Sequence, residues 1–587
     1  MKKISFKAMA LLLMFVFMFQ LASCIGGNSG TSYTSDSNTS QVTEGQTESS
    51  VNETENNTEP ASTESQVTTE IPTEPVTDLP DIFQDETIDA PYAESFIVSK
   101  AFSSDMVVQR GERLRVWGWA DESQNGKKVS GEFMGMFSEA VIEDGKWEIT
   151  FKAKLPASSD MGKSMRIYTD KKEVIFENVL VGDVYFVIGQ SNVAYSVANH
   201  MSVFNTDDKG GKGAIDENAL IRLNYNTLGE VSGYPKRGTE EVCEDVIHNR
   251  GWQKATLSNI NNFTAIGYYF AFHLQNLLEE KIPIGLIEID GNGQPLGAFM
   301  PNEVANENKT DTYDESAGYY KTAGVNGDAA RYMYNHYMNP FSRYAISGVI
   351  WYQGESDFQD STAKVYVKNF TALMTYMRNT HNIINKDFPV YVVEIPSIYR
   401  RPPNASTWAY MELGKIRSIM GGIPQKLNNS YISVSSDLWN DRMFWNNLHP
   451  NCKFEQAERL AKLALAVTHK QITLDNATGP ILESVEYSAD RCSATLTFSN
   501  CGDGLKTSDG GKTVNGFVAL RTDIAINRKA VTAEITGPNT IKITSSTAMK
   551  GGIAYNTDSE NFYGKDINLC NSNGIPAAAF WYVNSEN

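Results

Sequence analysis

The stretch VLVGDVYFVIGQSN, from Val179 to Asn192, decides the fold of this chain. Its first part, 179–188, is mostly apolar, which predicts a strand buried on both faces of a sheet. Gly189 then begins a turn that carries Ser191. Because ligands of open α/β sheets bind at the carboxyl ends of the strands, such a turn presents the serine hydroxyl at a ligand-binding edge. Ser191 is therefore a candidate nucleophile.

The segments that follow alternate between helical periodicity and long apolar runs. Helical spacing is found over 265–280, 365–378 and 454–468, and strand-like runs over 284–289, 346–352 and 390–395. Strands separated by helices of this length are typical of parallel βαβ units. The sequence predicts an α/β fold in which helices cover both faces of a parallel sheet.

Short alternating runs predict a β domain on each side of this α/β part. Residues 114–119 and 147–151 have the period-two pattern of antiparallel strands, and the same signature returns beyond about residue 474. About 500 residues are too many for one hydrophobic core. The predicted domains are an N-terminal β domain at 91–177, an α/β domain at 178–472 and a β-sandwich-like domain at 473–587.

The N-terminus has the features of an export signal. Lys2, Lys3 and Lys7 precede an apolar stretch at 8–21 that is too short to span a bilayer comfortably. The residues LASC that end at Cys24 resemble a bacterial lipobox, which predicts cleavage before this cysteine and a lipid anchor on its sulfur. An ordinary signal peptide is the alternative. We expect residues 1–24 to be a lipoprotein signal peptide and the protein to be held at the cell surface, extracellularly, by this anchor alone.

Residues 25–90 are predicted to be a disordered acidic linker. They consist largely of Ser, Thr, Glu, Asn and Gly, and 14 acidic residues lie between Asp36 and Asp89. Such a segment has little to bury and repels itself. It contains much of the net charge of -19, so this charge says little about the folded part. The folded part has no basic stripe that would indicate nucleic-acid binding.

The cysteines do not predict a disulfide framework. If Cys24 is lipidated, an odd number remains, so at least one thiol is free unless it pairs between chains. Cys492 and Cys501 flank a possible hairpin, and both a disulfide between them and two unpaired thiols stay open. Neither a CxxC nor an HExxH motif is present, so we expect no zinc, and no other cofactor is implied.

Two further segments are predicted to meet Ser191 at the same sheet edge. The residues GNGQP at 291–295 follow the strand that ends at Ile289, and WYQGESD at 351–357 follows the strand that begins near Ile346. Each places a small or amide group at a strand end, where an oxyanion needs donors. Far downstream, His449 in the residues LHP is a candidate base for the serine.

Together these motifs resemble the sialate O-acetylesterase family, a branch of the SGNH hydrolases. The likeness also covers MVVQR at 106–110 and WGW at 117–119 in the N-terminal β domain, and GIPA at 574–577 near the C-terminus. It runs from about Phe96 to Trp581. The resemblance implies an SGNH-type, flavodoxin-like sheet with flanking β domains, hydrolysis of acetyl esters on carbohydrates, and no cofactor.

The resemblance also implies roles for individual residues. Ser191 is the nucleophile, and His449 takes its proton and later delivers one to the leaving sugar hydroxyl. The oxyanion hole is formed by the backbone N–H groups of Ser191 and Gly293 and by the side-chain amide of Gln353. Glu355 holds the loop or hydrogen-bonds a sugar rather than acting as a base. The predicted substrate-binding residues are Gln190, Asn192 and Glu355.

The sequence departs from the family pattern just before the histidine. Family members commonly have an acid two or three residues upstream, whereas this chain has Asn446 and Asn447. An amide cannot offset the charge of an imidazolium, and a carboxylate-to-amide change in this role can cost about 10⁴ in rate. Asp437 or Asp441 is predicted to fold back as the orienting acid. Otherwise the enzyme uses a Ser-His pair, or its activity is low.

The expected partner is an acetylated carbohydrate, and its identity stays open. The substrate is either an O-acetyl sialic acid or an acetylated polysaccharide; an arginine beside the site would favour the first because it binds a carboxylate. The candidates for that role are Arg222, Arg331 and Arg442. The rival hypothesis is a glycan-binding module on a catalytically weakened scaffold, motivated by Asn446 and Asn447. A purely structural surface protein is the third alternative.

Overall fold

The computed structural model describes most of the chain from residue 87 onward. The described residues are 87–157, 162–203, 214–216, 219–227, 241–247, 250–308, 311–314, 319–322, 331–381, 386–397, 407–438, 449–520, 526–557 and 566–583. The predicted signal peptide with Cys24, and the predicted linker up to residue 86, lie outside them. Within the described segments, no helix combines the length and the apolar character needed to cross a membrane.

The N-terminal part is built mainly from antiparallel strands, and buried side chains alternate with less buried ones along several of them. The strands are β1 Ile97–Val98, β2 Val107–Gln109, β3 Arg113–Trp119, β4 Lys128–Phe133, β5 Met136–Val141, β6 Lys146–Lys154, β7 Lys163–Tyr168 and β8 Glu173–Gly189. β3 pairs with β1 and β6, while β4 pairs with β5 and β7, and β7 pairs with β8. Trp117 and Trp147 are buried in the core. The predicted N-terminal β domain is therefore present.

The long strand β8 joins this β part to the central sheet. Its first half pairs with β7, and its second half enters the parallel sheet between two later strands. The domain boundary predicted at 177/178 falls inside this single strand of 17 residues. The buried residues of the two parts also belong to one continuous cluster, in which Trp117 and Phe186 are both found.

The central sheet is parallel except for one edge strand. Its later strands and the hairpin β12–β13 are β9 Ile221–Thr227, β10 Trp252–Lys254, β11 Ile284–Asp290, β12 Asp311–Asp314, β13 Tyr319–Thr322, β14 Gly348–Tyr352, β15 Val390–Val393 and β16 Ser430–Ser433. The order is β9-β11-β8-β14-β15-β16, and β10 adds to β9 in the antiparallel direction. Every residue of β11 and β14 is buried, which explains why their sequences are largely apolar; Glu288 and Asp290 are the buried acids of β11.

Helices cover both faces of this sheet. They are α1 Ser191–Ala194, α2 Val197–Val203, α3 Leu257–Ile260, α4 Ala265–Leu277, α5 Asn302–Asn308, α6 Asp360–Ala363, α7 Tyr366–Thr380, α8 Thr407–Met420 and α9 Lys453–Val467. Tyr185 and Val187 of β8 share a core cluster with residues of α4 and α9, whereas Phe186 and Ile188 share one with residues of α7. Successive residues of a strand point to opposite faces, so these helices lie on opposite sides. The predicted α/β, SGNH-type fold is confirmed.

The C-terminal part contains two four-stranded antiparallel sheets and one two-stranded sheet around a common core. Its strands are β17 Ile481–Tyr487, β18 Ser493–Ser499, β19 Lys506–Thr507, β20 Phe517–Leu520, β21 Ile526–Ala530, β22 Thr532–Gly537, β23 Thr540–Thr544, β24 Gly552–Tyr555, β25 Leu569–Cys570 and β26 Phe580–Val583. One four-stranded sheet has the order β17-β18-β23-β22 and the other β21-β20-β24-β26. Leu496 of the first sheet and Tyr555 of the second belong to the same buried cluster. Cys492 and Cys501 are free thiols.

Candidate active site

The candidate nucleophile lies where β8 ends. Ser191 is the first residue of the short helix α1 and is 8% exposed. The carbonyl of Gln190, which precedes the helix, accepts from the N–H groups of Val193 and Ala194 at 2.8 and 3.0 Å. The chain thus changes from strand to helix within two residues, and this turn places Ser191 at the carboxyl edge of the sheet.

The ends of β11 and β14 flank this turn. Gly189 is in register with Asp290 on one side and with Tyr352 on the other. The N–H of Gly291 donates to the carbonyl of Gly189 at 3.0 Å, and the N–H of Gln190 donates to the carbonyl of Tyr352 at 3.3 Å. The two glycine-containing segments that were predicted to meet the serine therefore begin on either side of it.

Two of the three predicted oxyanion donors are uncommitted. Among the described residues, the backbone N–H groups of Ser191 and Gly293 donate to no acceptor. Gly293 is exposed and has a φ of 68°, a left-handed conformation that favours glycine. Uncommitted backbone N–H groups at the end of a strand are the donors that an oxyanion hole requires.

Gln353, the third predicted donor, is directed into the protein. Its side chain is fully buried, and its Nε2 lies 2.7 Å from Asp357 Oδ2 and 3.2 Å from both Gln190 Oε1 and the Gln294 carbonyl. Its Oε1 accepts from the hydroxyl of Tyr366 at 3.0 Å. To donate to an oxyanion, this amide would have to give up one of these partners. Its oxyanion role stays a prediction.

The predicted substrate-binding residues form part of an internal hydrogen-bond network. Gln190, Asn192 and Glu355 are 2%, 1% and 4% exposed. Gln190 Oε1 accepts from the Ser356 N–H at 3.3 Å in addition to Gln353, and Asn192 Nδ2 donates to Glu355 Oε1. These contacts hold the loop after β14 against the nucleophile turn. Direct binding of substrate by these residues stays a prediction.

Two buried acids in that loop have raised pKa values. Burial raises the pKa of Glu355 to about 7, against the opposing effects of a backbone hydrogen bond, Asn192 and Lys453. Burial likewise raises the pKa of Asp357 to about 6, although Gln353 and the N–H of Leu296 donate to its carboxylate. Asp357 therefore joins the loop after β11 to the loop after β14.

His449, the candidate base, lies just before α9. Within the described part of the chain, its ring has no hydrogen bond to Ser191 Oγ or to any other group. Catalytic hydrogen bonds are often long before substrate binds. Burial, and next the ammonium of Lys453, lower the pKa of His449 from 6.5 to about 4. The imidazole is therefore neutral at neutral pH, which is the form that a general base needs.

Two contacts connect the histidine segment to the nucleophile turn. Lys453 Nζ donates to Asn192 Oδ1 at 2.7 Å, and the hydroxyl of Tyr195 donates to Asn451 Oδ1 at 2.9 Å. Sequence reasoning missed Lys453 and Asn451. A signal was present for the lysine, because it lies at helical spacing from the buried Ala457 and Leu460. A charged residue on the buried face of a helix is a reason to look for a special role.

Of the two candidate orienting acids, only Asp437 lies within the described residues. Asp437 is bound by Arg459 of α9, whose two terminal nitrogens lie 2.6 and 2.7 Å from its carboxylate oxygens. Asp437 is 42% exposed, and it is not among the groups that shift the pKa of His449. Asp441 lies outside the described residues, as do Asn446 and Asn447. The orienting role of either acid stays a prediction.

We expect Asp437→Asn to lower turnover by less than about tenfold, because this carboxylate is engaged by Arg459 rather than by the imidazole. The measurement is kcat for acetate release beside Asp503→Asn, an exposed acid of the C-terminal part. A loss of about 10⁴ in the first variant alone would make Asp437 the orienting acid.

The two described candidate arginines make hydrogen bonds within the protein, and the described acids form no metal site. Arg222 donates to the neighbouring carbonyl of Ile221 at 3.0 Å, and Arg331 donates to Asn302 and Asn306 at 3.3 and 2.7 Å. Both arginines are buried, and Arg442 lies outside the described residues. Over the residues that the structure describes, no group of three or more His, Cys, Asp or Glu side chains is arranged to hold a metal ion.

Comparison with known proteins shows which family the central part of the chain resembles. Residues 181–438, which include the turn at Ser191 and the loops after β11 and β14, match the model of a family described as carbohydrate esterase, sialic acid-specific acetylesterase. The central part of the chain therefore resembles the sialic acid-specific acetylesterase family of carbohydrate esterases. The resemblance inferred from the sequence motifs is confirmed.

Individual relatives of this acetylesterase family are distant. The sialate O-acetylesterases of Homo sapiens and Pongo abelii are each 25% identical over 340 residues, which are 55% of this chain and 60% of the relative. The chain thus matches about three fifths of the length of these curated relatives. Among solved structures, a carbohydrate acetylesterase from Xanthomonas citri has a TM-score of 0.63 and 22% identity, with 83% of this chain and 99% of that chain covered. That likeness supports the fold.

Proposed function

We propose that this protein is an exported carbohydrate O-acetylesterase that hydrolyses acetyl esters on sugars through an acetyl-enzyme on Ser191. The observation that carries the proposal is the turn after β8, in which a serine stands at the carboxyl edge of a parallel sheet with uncommitted N–H groups at its own position and at Gly293. The match of residues 181–438 to a carbohydrate esterase family supports the same chemistry.

The proposed reaction has two acyl-transfer steps. The imidazole of His449 takes the proton of Ser191 as Oγ attacks the acetyl carbonyl, and the imidazolium then protonates the leaving sugar hydroxyl. A water, deprotonated by the same imidazole, attacks the acetyl-enzyme, and acetate leaves as the imidazolium returns the proton to Ser191 Oγ. The N–H groups of Ser191 and Gly293 hold the oxyanion in both steps, and each such donor contributes about 3 kcal/mol.

The low pKa of His449 affects both halves of this cycle. A pKa of about 4 keeps the imidazole neutral and ready to accept a proton, but it also makes the imidazolium costly to form. A carboxylate beside the ring would lower that cost, and Asp437 and Asp441 are the residues proposed for it. Without such an acid, the protein works as a Ser-His pair.

The proposed substrate is an acetylated sugar, with O-acetyl sialic acid ahead of acetylated polysaccharide. The family description and the curated relatives name sialic acid or sialate, which favours the first. The Xanthomonas citri protein is described as a carbohydrate acetylesterase, a wider term that includes the second.

We also propose that the protein acts outside the cell, as a lipoprotein tethered through Cys24 and the acidic segment 25–90. The support is in the sequence: a basic start, a short apolar stretch, a lipobox-like LASC and a long hydrophilic linker. Incorporation of radiolabelled palmitate into the whole chain, but not into Cys24→Ser, is the check on this part of the proposal.

The deciding experiment is acetate release by the whole chain from O-acetylated sialic acids and from acetylated xylan. We expect release from at least one of these substrates, and a mass increase of one acetyl group on the peptide that contains Ser191 when the reaction is stopped early. The ratio of the two kcat/KM values gives the substrate preference. Well-folded protein that releases no acetate but binds the glycans would instead support the glycan-binding module.

A further inference from the structure

Lys453 is a lysine in an unusual position. It is the first residue of α9, it is fully buried, and its ammonium lies 5.4 Å from the ring centre of Tyr195 and 4.9 Å from that of Tyr352. A buried ammonium is costly unless hydrogen bonds and charges compensate for the lost water. Its compensating partners therefore indicate what the residue does.

Those partners belong to the two catalytic segments. Lys453 Nζ donates to Asn192 Oδ1 at 2.7 Å and to the Pro450 carbonyl at 3.0 Å. Asn192 directly follows Ser191, and Pro450 directly follows His449. One ammonium thus binds the neighbour of the candidate nucleophile and the neighbour of the candidate base.

Asn192 also connects Lys453 to the loop after β14, the third segment of the site. Asn192 accepts from Lys453 through its oxygen and donates to Glu355 Oε1 through its nitrogen. Glu355 lies in the loop after β14, two residues beyond Gln353. The chain of contacts from Lys453 through Asn192 to Glu355 therefore connects α9, the nucleophile turn and that loop.

We propose that Lys453 is a positioning residue of the hydrolysis. Its ammonium binds both the nucleophile turn and the histidine segment, and so fixes the positions of Ser191 and His449 relative to each other. The inference rests on the proposed function. It assigns the lysine no contact with substrate, because its ammonium is buried and bound by Asn192 and Pro450. Positioning of reacting groups accounts for large factors in rate, and a displacement of about 1 Å can cost about 100-fold.

The charge of Lys453 has a second effect on the histidine. Its ammonium is the largest influence after burial that lowers the pKa of His449. Burial lowers the pKa of Lys453 itself to about 8, while the carboxylate of Glu355 acts in the opposite direction. Burial raises the pKa of the Cys452 thiol to about 12, so this group stays neutral. Near neutral pH the ammonium is therefore largely charged, and its removal raises the pKa of His449.

The test is Lys453→Met in the whole chain. We expect kcat for acetate release to fall on the order of 100-fold, with KM changed by less than about threefold, since the lysine does not touch the sugar. We also expect the acid limb of kcat/KM, which lies near pH 4 in the wild type if His449 is the base, to move to higher pH. A histidine NMR titration, with the His449 signal assigned from His449→Gln, measures the same shift without substrate.

Two further variants separate positioning from a general loss of structure. Lys462→Met removes a partly exposed lysine of the same helix, which is paired with Glu458 at 2.7 Å, and we expect kcat and the pH profile to stay at the wild-type values. Lys453→Gln keeps a donor but removes the charge; it replaces Lys453→Met if methionine prevents folding. For both Lys453 variants, we expect the thermal unfolding temperature to stay close to that of the wild type while kcat falls.

The outcomes distinguish this inference from the proposed function. If the wild type releases acetate, and the Lys453 variants keep kcat within about threefold and the same His449 pKa, the inference is wrong and the proposed function stands. If the wild type releases acetate from no substrate, the proposed function is wrong, and with it the positioning role. The NMR titration then still decides whether Lys453 sets the charge state of His449.

Discussion

Ser191→Ala is expected to lower kcat for acetate release by at least about 10⁴-fold and to leave the protein folded. The hydroxyl is the nucleophile of the first acyl transfer, so its loss prevents formation of the acetyl-enzyme. The remaining rate comes from the oxyanion donors and from substrate binding alone. Alanine is well suited to the first position of α1, and the lost hydroxyl has no hydrogen-bond partner among the described residues. We therefore expect the free energy of unfolding to change by less than about 1 kcal/mol.

The matched control for this variant is Ser202→Ala. Ser202 lies nearby in α2, is exposed, and donates its hydroxyl only to the carbonyl of Asn199 at 2.7 Å. Its activity is expected to equal that of the wild type. Initial rates of acetate release and the mass of the acetylated peptide are measured on all three proteins. More than a tenth of the wild-type kcat in Ser191→Ala would mean that the nucleophile lies elsewhere.

Much of the α/β part could be predicted because its signals are local. The apolar run at 284–289 corresponds to β11 at Ile284–Asp290, and the helical spacing at 454–468 corresponds to α9 at Lys453–Val467. Parallel strands bring their carboxyl ends to one edge, so the meeting of the segments after β8, β11 and β14 also followed from the pattern. These features depend on periodicity and chain direction alone.

The domain boundary inside β8 could not be predicted in the same way. Its first half pairs with antiparallel β7 and its second half with parallel β11 and β14. Period-two alternation and a continuous apolar run were interpreted as two elements, because strands of 17 residues are uncommon. Nothing local to the sequence tells which strand will lie beside a given segment.

Side-chain directions at the site were also beyond the sequence. Gln353 was expected to face the oxyanion, yet its amide is bound by Asp357, a residue of the same loop that received no role. Lys453 received no role, and a lysine at the start of a helix is usually solvated. In both cases the decisive factor is tertiary packing: burial forces each polar group to find a partner inside the protein, and the partners lie far away in the sequence.

Gly189→Ala is expected to destabilise the protein by about 3 kcal/mol or more and to lower activity with it. A Cβ at this position would lie 2.1 Å from the Tyr352 carbonyl oxygen and 2.7 Å from Cγ2 of Val193. The first obstacle is backbone of the adjacent strand β14, so it cannot move aside as a flexible side chain can. Relief of the clash would require β8 and β14 to separate at the point where they position the nucleophile turn.

Gly293→Ala is the control, because it separates crowding from backbone strain. A Cβ there meets nothing within 4 Å, and the only cost is the left-handed φ of 68°, on the order of 1 kcal/mol. Thermal unfolding temperature and soluble yield are measured on both variants, since a protein of several domains need not unfold in one step. Equal stability of Gly189→Ala and the wild type would contradict the close approach of Tyr352. With the expected result, activity and stability fall together in Gly189→Ala, whereas Ser191→Ala loses activity alone. That difference shows that Gly189 is needed to form the nucleophile turn, while Ser191 is needed for the reaction.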